Sequence, residues 1–234
     1  MKIYLCGQKF FGAEVFGLIR HLGHEVVGVS SPAKNTRGDG PDKLTAKAQL
    51  FEVPWLESGN LNAHSLPNGV DLIVAAHSHD FIGRKTRMKS RLGAIGYHPS
   101  LLPRHRGRDA IRWALHMGDP IAGGSIYWLS DVMDGGPLAA QDWVWIRPGD
   151  DAETLWRRDL FPLGLRLFEQ ALTMIASDVL VKIPQDEALA TFEPAFDPPR
   201  KFRPDLEALP MPGVDQDVRI VTSVESLREV TAGG

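Results

Sequence analysis

The sequence predicts an α/β fold built on a mostly parallel, twisted, doubly wound sheet. Continuous apolar runs over residues 2–6, 25–31 and 69–78 lack the polar alternation of a half-exposed strand, so they indicate strands buried on both faces. Helical patterns lie between these runs, and such alternation is typical of a parallel sheet covered by helices. A chain of 234 residues has the length of one large domain of this class.

The first elements form a β-α-β unit. Strand 2–6 is followed by apolar residues that recur at helical spacing between Val15 and Leu22, and strand 25–31 completes the unit. Residues 31–43 are rich in glycine, proline and asparagine, which predicts a loop.

The alternation continues along the chain. Further predicted elements are a helix over 44–51, a strand over 53–57, the buried strand 69–78, a basic helix over 84–91, a strand over 93–98, a helix over 109–119 and a strand over 123–130. Residues 137–146 alternate between polar and apolar types, which predicts an antiparallel strand with one face in water. Asp150, with Glu153 three positions later, predicts a capping box that opens a long amphipathic helix, bent near Pro162.

The composition changes beyond Thr191, where several prolines occur with little periodicity. We therefore expect a main domain over residues 1–196 and a proline-rich C-terminal tail over 197–234. This tail is shorter than the roughly 40 residues below which a domain usually needs a disulfide, a metal or a partner to fold. No second domain is expected there.

Composition and charge exclude several classes of function. With 43% hydrophobic residues, 24% charged residues and a net charge of −3, the chain resembles an ordinary globular protein, and no nucleic-acid partner is expected. The N-terminal apolar run is too short for a signal peptide, and no membrane segment is expected. The single cysteine, Cys6, allows no disulfide within the chain and indicates a reducing, cytoplasmic setting. The sequence leaves a homodimer open.

Two histidines, His77 and His79, end the buried strand 69–78. Two histidines at this spacing can bind a metal when a third ligand is available, but no nearby cluster of Cys or His completes such a set. Ligands of open α/β sheets bind beyond the carboxyl ends of the strands, so lining a pocket is the favoured interpretation and no metal is predicted.

His98 and Asp134 stand at two notable turns. His98 leaves a strand directly into the proline-rich loop of YHPSLLPRHRG, a rigid segment that fixes the imidazole at the carboxyl end of the sheet. Asp134 precedes the paired glycines Gly135 and Gly136, a pattern that on its own is more often only a turn.

Taken together, GYHPSLLPRHRG, the Gly118-Asp119 pair and GGSIYWLSDVMDGGPL resemble the 10-formyltetrahydrofolate-dependent formyltransferase family. Within that family the resemblance is closest to the N-terminal hydrolase domain of 10-formyltetrahydrofolate dehydrogenase, which shares the MKI start, the HEVVGV strand and the later LFP pattern. It covers about residues 1–194.

The resemblance implies a Rossmann-like fold in which a folate binds in a cleft at the strand ends. It assigns catalytic roles to His98 and Asp134, and it places Gly96 where the family carries an asparagine, a departure shared with the hydrolase domain. The folate-binding positions that it implies are His77, His79, Phe81, Leu101, Leu102, Arg104 and Gly107.

The resemblance also implies a one-carbon reaction in which 10-formyltetrahydrofolate is the co-substrate and no metal takes part. It favours hydrolysis to tetrahydrofolate and formate. Transfer of the formyl group to a small amine, such as an amino sugar or an amino acid, is an open alternative. A folate-binding protein without turnover is a second one, since Gly96 removes a side-chain amide. The expected partners are therefore small molecules only.

Overall fold

The computed structural model describes residues 1–78 and 80–196, and within them seven strands form one sheet in the order β3-β2-β1-β4-β5-β6-β7. The strands are β1 Lys2–Gly7, β2 Glu25–Ser31, β3 Trp55–Glu57, β4 Leu72–Ala76, β5 Ala94–His98, β6 Ile121–Trp128 and β7 Leu138–Trp145. The first five strands in this order pair in parallel, whereas β6 and β7 pair in antiparallel fashion. The predicted fold class is confirmed.

Helices connect the strands and cover the sheet. They are α1 Lys9–His21, α2 Lys43–Leu50, α3 Arg84–Lys89, α4 Ala110–His116, α5 Ala152–Leu155 and α6 Phe161–Ala176. Alternate residues of β1 belong to two apolar clusters on opposite faces, Ile3 and Leu5 to one, Tyr4 and Cys6 to the other. The continuous apolar run therefore reflects burial on both faces.

The long helical segment departs from its predicted start. Asp151, not Asp150, is the N-cap of α5, and its side chain accepts a hydrogen bond from the Thr154 N–H. Asp150 instead accepts two hydrogen bonds from the Arg158 guanidinium. The predicted capping box at Asp150 is therefore wrong, because a nearby arginine competes for that carboxylate.

The same segment is irregular where a bend is predicted. A π-helical turn over Trp156–Leu160 joins α5 to α6 just before Pro162. Proline lacks an N–H, so the regular hydrogen-bond pattern cannot continue through it. Such turns are frequent near functional sites.

Residues Met1–Phe196 form one compact unit. The predicted tail, 197–234, lies outside the described residues, so the division of the chain stays a prediction. Within the described part, no helix combines the length and the apolar character that spanning a bilayer requires.

Candidate active site

His98 is the last residue of β5, and its side chain is buried against the loop that follows. Its Nε2–H donates a hydrogen bond of 2.7 Å to the backbone carbonyl of His105. A carbonyl can only accept, so this bond places a proton on Nε2. Nδ1 is left as the atom that can exchange a proton, and it lies 3.7 Å from Oδ2 of Asp134.

The loop 99–107 is held by hydrogen bonds to the antiparallel end of the sheet. The Ser125 hydroxyl on β6 donates to the carbonyl of Ser100 at 2.7 Å and accepts from the Leu102 N–H at 3.2 Å. Gln141 on β7 donates from its amide to the Leu102 carbonyl and to the Ser125 hydroxyl. The loop after His98 is therefore fixed by β6 and β7.

Asp134 lies in the turn after β6 with a left-handed backbone, φ +50°. Its Oδ2 accepts a hydrogen bond from the Gly107 N–H at 2.7 Å, and its Oδ1 accepts one from the Tyr127 hydroxyl, also at 2.7 Å. Burial, the charge of Asp134 and this hydrogen bond hold the pKa of Tyr127 well above its usual range. Tyr127 therefore stays a hydrogen-bond donor to the carboxylate.

Gly96 lies on β5 and pairs with Tyr127 across the antiparallel ladder. A Cβ at this position would lie 3.0 Å from Cδ1 of Leu129 and 3.5 Å from Cε1 of Tyr127. A larger side chain would therefore have to displace Leu129.

A C-terminal strap, defined here as residues 181–196, joins the two loops of the site. Arg106, completely buried, donates to both carboxylate oxygens of Glu187 and to the Gln185 side chain. Gln185 in turn donates from its amide to the backbone carbonyls of Asp134 and Gly136, each at 2.7 Å. The strap thereby ties the loop after His98 to the turn that carries Asp134.

The family model described as "Formyl transferase" matches residues 26–163, more than half of the chain. The chain belongs to the formyl transferase family. The predicted family is confirmed, and the matched span includes β5, β6 and the turn between β6 and β7.

Individual relatives agree with this assignment. The chain is 39% identical over 204 residues to human cytosolic 10-formyltetrahydrofolate dehydrogenase, with 82% of this chain but 22% of the relative covered. The chain thus spans about a fifth of the length of that curated relative.

Two solved structures share the fold of this formyl transferase. Glycinamide ribonucleotide transformylase 1 from Symbiobacterium toebii has a TM-score of 0.63 and 23% identity, over 77% of this chain and 90% of that chain. An N-formyltransferase from Helicobacter canadensis, in complex with folinic acid and dTDP-3-aminofucose, has a TM-score of 0.66 and 15% identity, over 82% of this chain and 70% of that one.

The structure describes six of the seven positions that the family resemblance assigns to folate. Gly107 contacts Asp134 directly through its N–H. His77 follows β4 with a left-handed backbone, φ +57°, and its ring lies 6.1 Å from that of Trp156. Phe81 is 88% exposed. His79 lies outside the described residues.

The other three positions lie on the loop after His98. Leu101 and Arg104 line a cavity of about 290 Å³ that extends to Asp119 and Gly123. Arg104 donates to both carboxylate oxygens of Asp119. Leu102 is buried. Their contact with a folate stays a prediction.

Metal-ligating side chains do not gather at this site. Over residues 1–78 and 80–196, no group of three or more His, Cys, Asp or Glu side chains has an arrangement that could hold a metal ion.

Sequence reasoning missed Tyr127, Gln185 and Glu187. Tyr127 lies within a predicted strand, but its place beside Gly96 depends on the register between β5 and β6. Gln185 and Glu187 belong to a segment without periodicity, and their contacts with the site lie 49 to 81 residues away along the chain.

Proposed function

We propose that this formyl transferase hydrolyses 10-formyltetrahydrofolate to tetrahydrofolate and formate, with His98 and Asp134 as the catalytic pair. The observation that carries the proposal is the approach of His98 Nδ1 to Asp134 Oδ2, at 3.7 Å, at the carboxyl end of β5. Ligands of open α/β sheets bind at this edge. The 39% identity to a 10-formyltetrahydrofolate dehydrogenase supports the choice of folate.

We place the pterin near residues 77–81 and the formyl group near His98. Strands β4 and β5 are parallel neighbours, so their carboxyl ends meet at the same edge of the sheet. A folate that lies along this edge can contact His77 with one end while its N10 formyl group reaches the catalytic pair.

The proposed reaction uses water as the nucleophile. Asp134 and His98 orient the water, whose oxygen adds to the formyl carbon while His98 Nδ1 accepts its proton. The protonated His98 then donates that proton to N10, the bond between carbon and N10 breaks, and formic acid leaves, which loses its remaining proton to solvent as formate. Asp134 stabilises the imidazolium between the two steps, as a carboxylate does in other acyl transfers.

Gly96 predicts that this chemistry is slow. The formyl oxygen gains negative charge when water adds, and a family asparagine at this position would donate a hydrogen bond to it. Removal of one such donor typically lowers the rate about 100- to 1000-fold. In this chain the protonated His98 is left to stabilise that charge.

The N-terminus of α1 favours water over an acceptor that carries phosphate. The N–H groups at the start of a helix that follows the first strand commonly bind anions. Here the Asp42 carboxylate, only 2% exposed, accepts from the Lys9 N–H at 2.8 and 3.0 Å and from the Leu44 N–H at 2.9 Å. The Lys9 N–H at the start of α1 is thus already bonded to an acid of this chain, which disfavours a phosphate there.

The test is to incubate the pure protein with 10-formyltetrahydrofolate alone and to follow tetrahydrofolate and formate. We expect turnover without any added amine, lowered about 100- to 10,000-fold in both His98→Ala and Asp134→Asn. Matched controls are His64→Ala, an exposed histidine, and Asp178→Asn, an exposed aspartate that shares the left-handed backbone of Asp134. Both controls should keep wild-type turnover.

Other outcomes would replace the proposal. Formate or formyl-product release that requires an added amino sugar or amino acid would make the protein an N-formyltransferase. Heat of binding with 5-formyltetrahydrofolate, but no turnover with or without an amine, would make it a folate-binding protein without activity. If the protein shows no binding and no turnover, a folate substrate is rejected.

A further inference from the structure

The environment of Gly96 is shaped by Tyr127. Both residues lie on paired positions of neighbouring antiparallel strands, so their side-chain directions share one face of the sheet. The Tyr127 ring lies 3.5 Å from the Cβ position of Gly96, and Leu129 closes the same space at 3.0 Å. The aromatic ring therefore lines the space into which a side chain at position 96 would project.

The Tyr127 hydroxyl connects this space to the catalytic pair. It donates to Oδ1 of Asp134 at 2.7 Å, while Oδ2 accepts from the Gly107 N–H and faces His98. The hydroxyl fixes the rotation of the carboxylate, because the two oxygens are held from different strands and loops. A hydrogen bond to a charged group is stronger than one between neutral groups.

We propose that Tyr127 is a positioning residue, which holds the Asp134 carboxylate so that its second oxygen faces Nδ1 of His98. This inference rests on the proposed hydrolysis. Without the hydroxyl, Asp134 keeps its bonds to Gly107 and, through its backbone carbonyl, to Gln185. The turn should therefore stay in place while the carboxylate gains freedom to rotate.

Three polar side chains face Asp134 from the elements packed around it. They are Tyr127 on β6, His98 at the end of β5 and the buried Arg106 in the loop after β5. The Tyr127 hydroxyl is the donor that holds Oδ1, so its loss should act on the step that uses the carboxylate, and therefore on kcat rather than on KM.

The decisive variant is Tyr127→Phe, which removes only the hydroxyl. We expect kcat to fall about 10- to 100-fold, the range for a hydrogen bond to a charged group, with KM unchanged. Tyr97→Phe is the matched control, because Tyr97 is on the neighbouring strand and its hydroxyl donates to the Leu160 carbonyl at 2.8 Å. That control should lower thermal stability without a change in kcat or KM.

The carbon-13 chemical shift of the Asp134 carboxyl, assigned with Asp134→Asn, separates this inference from the proposed function. A changed Asp134 chemical shift in Tyr127→Phe but not in Tyr97→Phe supports positioning even if no folate turnover is found, in which case only the hydrolysis is rejected. An unchanged Asp134 chemical shift in Tyr127→Phe would overturn the role of Tyr127. Wild-type kcat in Tyr127→Phe, or an effect limited to stability as in Tyr97→Phe, would overturn it too.

Discussion

Two buried histidines, one at the end of β5 and one in the loop that follows it, are paired with carboxylates in opposite ways. His98 and His105 are 7% and 3% exposed, so burial does not distinguish them. His98 keeps 3.7 Å between Nδ1 and its carboxylate, Asp134. His105 has Nε2 at 2.9 Å from Asp119 and Nδ1 at 3.2 Å from Glu193, so both of its nitrogens face acids.

This difference separates a histidine that can react from one that fixes structure. A proton-transferring imidazole needs one nitrogen within reach of the substrate, and His98 keeps Nδ1 beside a carboxylate that other groups already satisfy. His105 has no such nitrogen, and it connects Asp119 to the C-terminal strap through Glu193. The two also cooperate, because the His105 backbone carbonyl accepts the Nε2–H of His98.

The largest effect is expected at His98 and Asp134, here called the open pair because His98 Nδ1 is left for the substrate. His98→Gln keeps an amide that can donate to the His105 carbonyl but removes the group that moves a proton, so the hydrolysis rate should fall about 100- to 10,000-fold. The free energy of unfolding in urea should change by about 1 kcal/mol or less, since one hydrogen bond is replaced by another. Wild-type turnover in this variant would show that His98 is not the proton-transfer group.

The next effect is expected at His105, which two acids face, and it concerns stability rather than rate. His105→Gln takes an imidazole nitrogen away from Asp119 and from Glu193, whose side chain is 8% exposed. A buried polar group left without its partner typically costs about 1 to 3 kcal/mol of unfolding free energy, and more when the group is charged. Turnover per folded molecule should fall less than in His98→Gln. If His105→Gln instead keeps the wild-type free energy of unfolding but loses turnover, His105 rather than His98 serves the reaction.

A smaller effect, dependent on pH, is expected for Asp119→Asn. Burial raises the pKa of Asp119, but hydrogen bonds from Arg104 and His105 outweigh it and hold the pKa below its usual range. A lowered pKa stabilises the fold at pH values above about 3.9, the unfolded value, and that contribution is lost as pH falls through the folded pKa.

Urea unfolding at pH 7 and pH 3 provides the measurement. Wild type should lose more stability between pH 7 and pH 3 than Asp119→Asn. At pH 7 the free energy of unfolding of Asp119→Asn should be about 2 kcal/mol lower than that of wild type. Asp39→Asn, an exposed loop aspartate, is the control. Equal losses in all three proteins would remove Asp119 from the acid response.

The roles of His98 and Asp134 could be predicted from the sequence, whereas the contacts of His105 with its two acids could not. His98 and Asp134 are predicted because each ends or follows a recognisable strand inside a family motif. The partners of His105 come from Asp119, beyond α4, and from Glu193 in the strap, and no local pattern connects them. Long-range pairing of this kind is decided by packing, which short-range propensity does not describe.

The register of the strands explains why the role of Tyr127 could not be predicted. The strands 123–130 and 137–146 are predicted close to their observed bounds, yet the ladder between β6 and β7 shifts at Ile126 and Tyr127. A shift of one residue reverses which face a side chain occupies, so the contact of Tyr127 with Asp134 does not follow from the strand pattern. The error at Asp150 is of a related kind, since competition from Arg158 decides which of two adjacent aspartates becomes the cap.

The smallest effect is expected at Glu193. Its size shows whether Asp119 or Glu193 fixes the position of His105. Glu193 Oε1 lies 3.2 Å from His105 Nδ1, whereas Glu193 Oε2 is buried without a hydrogen-bond partner among the described residues. His105 Nδ1 also has no hydrogen-bond partner among the described residues, and the amide of Glu193→Gln can donate to it. This substitution should therefore change the free energy of urea unfolding by about 1 kcal/mol or less. Asp119 still pairs with Nε2 in this variant. If Glu193→Gln instead destabilises as much as His105→Gln, the strap rather than Asp119 holds the histidine, and the acid response of Asp119→Asn should be correspondingly weak.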